Sequence, residues 1–227
     1  MLRGSHALKD ALADPRTRFV SSDRLLAAGR IAQLRRVLDT EMFAALQLLD
    51  RPAPPETIWS MKRDYTETLP KTAKLMTAYL DSRREKAWQV ADRIGLIRML
   101  RSQSFVAFAE SLAGRKLAAG HGLQVLCYRS GDYSGPHNDH HPENPRARRG
   151  YIDVHVSFAS PAVAHQYVVY ARAGHFSHSV AVAGEGVRPM VSGYRLPFWH
   201  YTTPLVARAG REPAARRWVL LGTFLFA

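Results

Sequence analysis

The stretch Cys127 to Asp139 reads Cys-Tyr-Arg-Ser-Gly-Asp-Tyr-Ser-Gly-Pro-His-Asn-Asp, and it ends in a His-x-Asp pair, His137 and Asp139, suited to holding a metal ion. Residues two apart on an extended backbone leave the same face, so the imidazole and the carboxylate can converge on one ion. A third ligand must come from elsewhere. The best candidate is His200, in Leu-Pro-Phe-Trp-His-Tyr-Thr-Thr-Pro, whose bulky and β-branched neighbours suit a strand. Two imidazoles and one carboxylate on one side of an ion, with the other side open, is the arrangement used at non-haem ferrous centres. His140 and His141 follow Asp139 directly but are out of phase with the pair, so they are expected in solvent or lid positions. His165, His175 and His178 flank strands of the middle region and read as loop or surface residues.

These side chains need a scaffold. Ser21 to Asp50 opens with Ser-Ser-Asp, good capping chemistry, and spaces Leu25, Leu26, Ile31, Leu34, Val37, Leu38, Phe43, Leu46 and Leu49 as an amphipathic helix. The prolines of 51–55 end it. Ile58 to Tyr65 reads as a short strand. A second helical region is expected from Lys71 through Ala91 toward Leu112, divided at Gly95 or at Arg101-Ser-Gln-Ser. After Gly120-His121-Gly122 the texture becomes short β-type runs: Leu123 to Tyr128, Gly150 to Phe158, Gln166 to Ala171, His178 to Ala183, Pro189 to Ser192, Leu196 to Tyr201 and Arg217 to Phe226. Short runs in this number suggest an α+β protein: a sandwich or jelly roll at 116–227, supported by a mainly helical region at 1–115, in one compact unit. In Tyr151-Ile-Asp-Val-His-Val-Ser-Phe, Ile152, Val154, Val156 and Phe158 form an apolar face. Asp153, His155 and Ser157 form a polar one. His155 therefore lines either the pocket or an outward, solvent-facing stripe. Pro142 to Arg149 is a polar loop directly after the metal pair, placed as a lid, a substrate contact or an ordinary exposed loop.

With 227 residues and 46% hydrophobic content the chain can bury a sizeable core. Its single cysteine, Cys127, excludes an internal disulfide framework and a cysteine-based zinc site, and its neighbours suggest a buried strand thiol. No stretch approaches the length of a membrane span and the N-terminus lacks the apolar core of a signal peptide, so a cytoplasmic location is expected. A net charge of +13, from 32 Lys+Arg against 19 Asp+Glu, attracts anions of many kinds. The arginines are spread out rather than blocked into a tail, which favours a solvated basic surface over a nucleic-acid stripe.

Together these features resemble the 2-oxoglutarate and Fe(II)-dependent dioxygenases, in particular their prolyl 4-hydroxylase-like branch. The likeness runs from Ser104 onward. It comprises Phe105-Val-Ala-Phe-Ala-Glu-Ser-Leu-Ala-Gly, Leu123-Gln-Val-Leu-Cys-Tyr-Arg-Ser-Gly-Asp-Tyr, the His-x-Asp pair, the late His200 and an arginine-containing last strand, in the family's order. The resemblance implies a double-stranded β-helix. It implies iron held by His137, Asp139 and His200, and 2-oxoglutarate consumed with O2 to give succinate, CO2 and a hydroxylated product, with ascorbate as a possible stimulant. The arginine that anchors the far carboxylate would open the last strand, in Arg217-Trp-Val-Leu-Leu-Gly-Thr-Phe, which leaves Arg208 to Ala215 as an insertion. Arg216 competes with Arg217, because adjacent strand residues face opposite ways. Arg208 and Arg211 are weaker alternatives. Tyr128 would add a hydroxyl to the co-substrate pocket or serve as a core aromatic. The implied prime substrate is a protein side chain or a small amino-acid-like molecule. The competing readings are a non-catalytic cupin-like binding protein and a dioxygenase acting on nucleic acid.

Overall fold

The computed structural model describes residues 5–14, 16–52, 72–138, 150–172, 175–195 and 198–227. In chain order they form helix α1 (Ser5–Ala13), strand β1 (Phe19–Ser22), helix α2 (Ala28–Val37), a π-turn (Leu38–Met42), a 3-10 turn (Phe43–Ala45), strands β2 (Gln47–Arg51) and β3 (Ala73–Tyr79), and helices α3 (Lys86–Arg93), α4 (Leu96–Leu100) and α5 (Gln103–Ala113). The strands that follow are β4 (Gly122–Arg129), β5 (Tyr133–Asn138), β6 (Tyr151–Ala159), β7 (Val163–Arg172), β8 (His175–Gly184), β9 (Met190–Arg195), β10 (Trp199–Thr202), β11 (Val206–Ala207) and β12 (Arg216–Leu225). No helix among the described residues is long and apolar enough to cross a membrane.

Period-two alternation gives the main strands two different faces. On β12, Trp218, Leu220 and Phe224 join Ile152, Val154, Val156 and Phe158 of β6 and the helical residues Leu12, Leu38, Leu100 and Leu112 in one apolar cluster. Val219 points the other way, into a second cluster with Leu75, Tyr128, Val163 and Leu205. The first cluster glues the helices to the back of a sheet, and the second fills the space inside its curl. Gly222 permits this contact: a Cβ there would come within 2.9 Å of the Phe105 ring of α5.

The strands run in the order β1-β9-β6-β12-β4-β3-β5-β10-β7-β11, with β2 on β3 and β8 on β7, and every pairing is antiparallel. The curl turns at β3, which pairs β4 through Met76–Tyr79 and β5 through Ala73 and Lys74. The helix-backed layer β1-β9-β6-β12-β4-β3 is thereby folded over the layer β5-β10-β7-β8, the closure of a jelly roll.

The two long helices read from sequence are shorter than their periodicity suggests. In 21–50 the helix is confined to Ala28–Val37 and its π and 3-10 turns, while Phe19–Ser22 pairs β9 and Gln47–Arg51 pairs β3. Ala73–Tyr79 is also a strand, although Ala, Lys, Leu and Met are good helix formers. Its Ala73, Leu75 and Thr77 are buried alternately, and pairing on both edges outweighs the local preference. Gly95 does divide α3 from α4, at φ 78, and Ser102 caps α5 by accepting the Phe105 N–H at 3.3 Å. Residues 1–115 thus contain the described α-helices and also β1, β2 and β3. The strands expected after Gly120 are present with shifted ends, and β5 and β11 were not anticipated. Ile58 to Tyr65 and Pro142 to Arg149 lie outside the described residues.

The β4–β5 turn is locked by one buried carboxylate. Asp132 Oδ2 accepts both the backbone N–H and the Nε–H of Arg129 at 2.9 Å, and Oδ1 accepts Nη2 at 3.3 Å. Gly131 sits at φ 81, which a side chain would resist, and donates to the Leu205 carbonyl at 2.8 Å, while Leu205 donates to the Asp132 carbonyl at 2.9 Å. Asp132→Ala is expected to destabilise the fold by about 1.5–3 kcal/mol, the worth of hydrogen bonds to a charged group. Urea unfolding measures it, and a change below about 0.5 kcal/mol would show the turn to be set by Gly131 alone.

His121 donates from Nε2 to the Leu100 carbonyl at 3.0 Å and stacks on Phe224 with centroids 4.2 Å apart. Burial holds its imidazole below the ordinary histidine pKa. The folded state thus favours the neutral ring, and stability from this site, present above about pH 6.5, is lost as the pH falls toward the lowered value. His121→Phe should flatten the acid side of the stability profile, read as urea midpoints at successive pH values. Parallel wild-type and variant profiles would contradict this.

Candidate metal and anion site

β5 and β10 bring His137 and His200 together as directly opposed residues of an antiparallel pair. Their rings lie 4.3 Å apart between centroids at 53°, and both residues are buried, with relative exposures of 6% and 7%. Each ring is oriented by the backbone two residues earlier. His137 Nδ1 donates to the Gly135 carbonyl at 2.7 Å and His200 Nδ1 donates to the Phe198 carbonyl at 3.0 Å. A carbonyl oxygen only accepts, so the proton of each neutral imidazole resides on Nδ1 and the lone pair on Nε2, the form a metal-binding histidine requires. Gly135 is itself held by donating its N–H to the Thr72 carbonyl at 2.7 Å, in a space that a Cβ would fill. The donor set and its orientation fit a metal ion. Asp139 lies outside the described residues, and no cluster of three metal-ligating side chains occurs among the described ones.

The second feature is Arg217, whose side chain enters the barrel from β12 with 3% exposure. Nε donates to Ser157 Oγ at 2.9 Å, Nη1 donates to Gln166 Oε1 at 3.1 Å, and the guanidinium carbon sits 5.3 Å from the Tyr128 ring centre. None of the described carboxylates forms an ion pair with it. Burial lowers its pKa to about 10, opposed by Tyr128, so it stays charged at neutral pH. A buried cation met, among the described residues, by neutral acceptors is suited to receive an anion, and with Nε on Ser157 and one Nη1 hydrogen on Gln166 its remaining Nη1 and Nη2 hydrogens form the geometric fork for a carboxylate.

Arg216 takes the opposite face. Its Nη1 donates to Asp39 of the π-turn at 3.3 Å, and its guanidinium lies 3.9 Å from the Phe43 ring centre. Arg208 is an exposed residue 3.7 Å from Glu185, and Arg211 is exposed. Tyr128 is buried beside Arg217. His155 is on the Ser157 face of β6, half-buried, with its ring edge-to-face on Tyr194 at 5.1 Å. It is two residues along β6 from Ser157, which binds Arg217, and it shares Tyr194 as a ring neighbour with His200. Cys127 is buried in the helix-backed cluster, and burial pushes its thiol pKa up. His165 and His175 are exposed and His178 is half-buried, on β7 and β8. His140 and His141 lie outside the described residues.

Two features were missed in the sequence. Gln166, fully buried, is the partner of Arg217, and its signal was a lone amide opening the apolar run Tyr-Val-Val-Tyr. An aromatic wall flanks His200: Phe198 stacks on it at 4.9 Å and Tyr194 lies 5.4 Å away, with Phe19 and Tyr170 packed on Phe198 at 5.6 Å each. Phe19 comes from the N-terminal strand, far from the motif in sequence.

No family model matches the sequence, and no curated protein matches it. Solved structures do. An oxidoreductase of the 2OG-Fe(II) oxygenase family from Burkholderia pseudomallei aligns with TM-score 0.63 and 11% identity over 98% of this chain and 91% of that one. A Pseudomonas putida prolyl-4-hydroxylase aligns with TM-score 0.53 and 15% identity over 97% and 99%. The non-haem α-ketoglutarate-dependent epimerase SnoN of nogalamycin biosynthesis aligns with TM-score 0.58 and 16% identity over 97% and 84%. Helices backing one side of a curled antiparallel sheet, with the histidine pair inside the curl, give this chain the jelly-roll fold of the 2-oxoglutarate and Fe(II)-dependent oxygenases.

Proposed function

We propose that the protein is a 2-oxoglutarate- and Fe(II)-dependent dioxygenase that hydroxylates a C–H bond of a protein side chain or a small amino-acid-like substrate. The observation that carries the reading is the presence, within one barrel, of two oriented imidazoles and a buried guanidinium that makes no ion pair with a described carboxylate. A fold match alone would not distinguish an enzyme from a binding module, whereas this combination of groups answers both needs of a keto-dicarboxylate chelated to a metal.

His137, Asp139 and His200 would hold the iron. With 2-oxoglutarate bound, that ion would supply the oxidative chemistry by which O2 and 2-oxoglutarate would be converted to succinate and CO2 and the substrate would gain a hydroxyl group. The chain itself contributes placement. Gly135 and Phe198 carbonyls keep the imidazole protons on Nδ1, so both rings offer Nε2 without tautomer exchange. Arg217 would take the far carboxylate of 2-oxoglutarate, with Tyr128 and His155 bordering the same space. The apolar residues Leu75, Leu205 and Val219 keep the guanidinium end dry, which strengthens a charge-assisted hydrogen bond there. The aromatic wall beside His200 borders the region where the prime substrate would approach.

Purified protein supplied with Fe(II), ascorbate and 2-oxoglutarate is expected to release succinate, and His137→Ala, Asp139→Ala and His200→Ala should each lower the rate by about 100-fold or more, beyond the usual loss from removing a ligand's supporting residue. Succinate release that survives the two histidine substitutions would rule out the proposed centre. Added Fe(II) or Mn(II) should also raise the melting temperature of the wild type but not of the double histidine variant.

A further inference from the structure

Gln166 holds a position that no motif announces. It lies on β7, and its amide reaches three separate elements. Oε1 accepts from Arg217 Nη1 on β12 at 3.1 Å. Nε2 donates to the Thr203 carbonyl at 2.9 Å and approaches the Asp132 carbonyl at 3.5 Å. Thr203 directly follows β10, which carries His200, and Asp132 directly precedes β5, which carries His137. Both anchors are themselves fixed. Thr203 exchanges hydrogen bonds with the Tyr167 backbone at 2.9 and 3.0 Å, and Asp132 is locked by Arg129. Two carbonyls on the Nε2 side leave only one orientation for the amide, with its oxygen toward the guanidinium.

We infer that Gln166 is a positioning residue that sets the distance between the imidazole pair and the Arg217 guanidinium, and so selects the length of the keto-dicarboxylate that can span them. The inference rests on the proposed role of Arg217 as carboxylate anchor. It goes further in assigning the choice of a five-carbon over a six-carbon co-substrate to an amide that acts through the guanidinium. The physical reason is that, among the described residues, two side-chain hydrogen bonds hold Arg217. The Ser157 hydroxyl fixes Nε, but rotation about that contact remains, and the Gln166 oxygen removes it. A neutral carboxamide does this without cancelling the positive charge, as a glutamate would.

The test titrates three ligands into the Mn(II)-loaded full chain by calorimetry: 2-oxoglutarate, 2-oxoadipate, which is one methylene longer, and 2-oxopentanoate, which lacks the far carboxylate. Wild type is expected to prefer 2-oxoglutarate to both. In Gln166→Met, of similar volume but without hydrogen-bonding groups, 2-oxoglutarate binding should weaken about tenfold, as for one lost hydrogen bond to a charged group. Its preference over 2-oxoadipate should disappear, while its preference over 2-oxopentanoate persists. Arg217→Met should instead abolish the preference over 2-oxopentanoate. If Arg217→Met behaves in this way but Gln166→Met keeps the wild-type ratio of 2-oxoglutarate to 2-oxoadipate, the inference about Gln166 is wrong and the anchor stands. If Arg217→Met keeps its preference for the far carboxylate, the anchor reading itself fails. Should Gln166→Met not fold, Gln166→Asn is read by the same ratios.

Discussion

A guanidinium inside a barrel is expensive to keep, because burial penalises its charge and no described carboxylate repays that cost with an ion pair. Arg217 is tolerated because three neutral groups from different strands meet it: Ser157 of β6, Gln166 of β7 and the ring of Tyr128 on β4. β6 and β4 are its direct neighbours in the helix-backed layer, whereas β7 belongs to the facing one. The contact exists only when the sheet has curled far enough for the two layers to meet. The cation is therefore a condition on closure as well as a feature of the site.

The helices contribute from behind the sheet. Arg216 and Trp218, on either side of Arg217 in sequence, both donate to Asp39 Oδ1, at 3.3 and 3.0 Å, and Phe43 packs edge-on against Trp218 with centroids 6.4 Å apart. Asp39 and Phe43 belong to the irregular π and 3-10 turns that follow α2. A regular helix here would advance its side chains by a fixed angle, and the wider π-turn changes that phase. Holding the outward residues of β12 in this way also fixes which residue of the strand faces inward, so the helical layer supports the position of Arg217 from the opposite face.

The histidine end obeys a different constraint. His137 and His200 are not neighbours in sequence or in motif, and they meet because β5 and β10 pair in a register that puts them opposite one another. The register shifts between His200 and Thr202, and His200–His137 shares its register with the neighbouring pair Trp199–Asn138. A slip of one residue would turn one imidazole out of the barrel. The locked turn at Asp132 and the carbonyls that hold Gln166 stand next to these two strands, which ties their positions to that of Arg217.

Alternation and turn residues marked the strands after Gly120 other than β5 and β11, and the His-x-Asp spacing and a strand-like context singled out His137 and His200, because these are short-range signals, whereas the jelly roll was reached only with the family resemblance. The resemblance put Arg216 and Arg217 ahead of Arg208 and Arg211 as basic candidates, and strand geometry allows only one of the adjacent pair to face inward. Local chemistry misread Ala73–Tyr79 and the ends of 21–50, where helix-forming residues are held as strands by partners distant in sequence. That Arg217 rather than Arg216 faces inward, that Gln166 meets it, and that Phe19 joins an aromatic wall beside His200 were decided only by tertiary structure. Each depends on which strands become neighbours when the sheet closes, and that pairing is a property of the whole chain rather than of any segment of it.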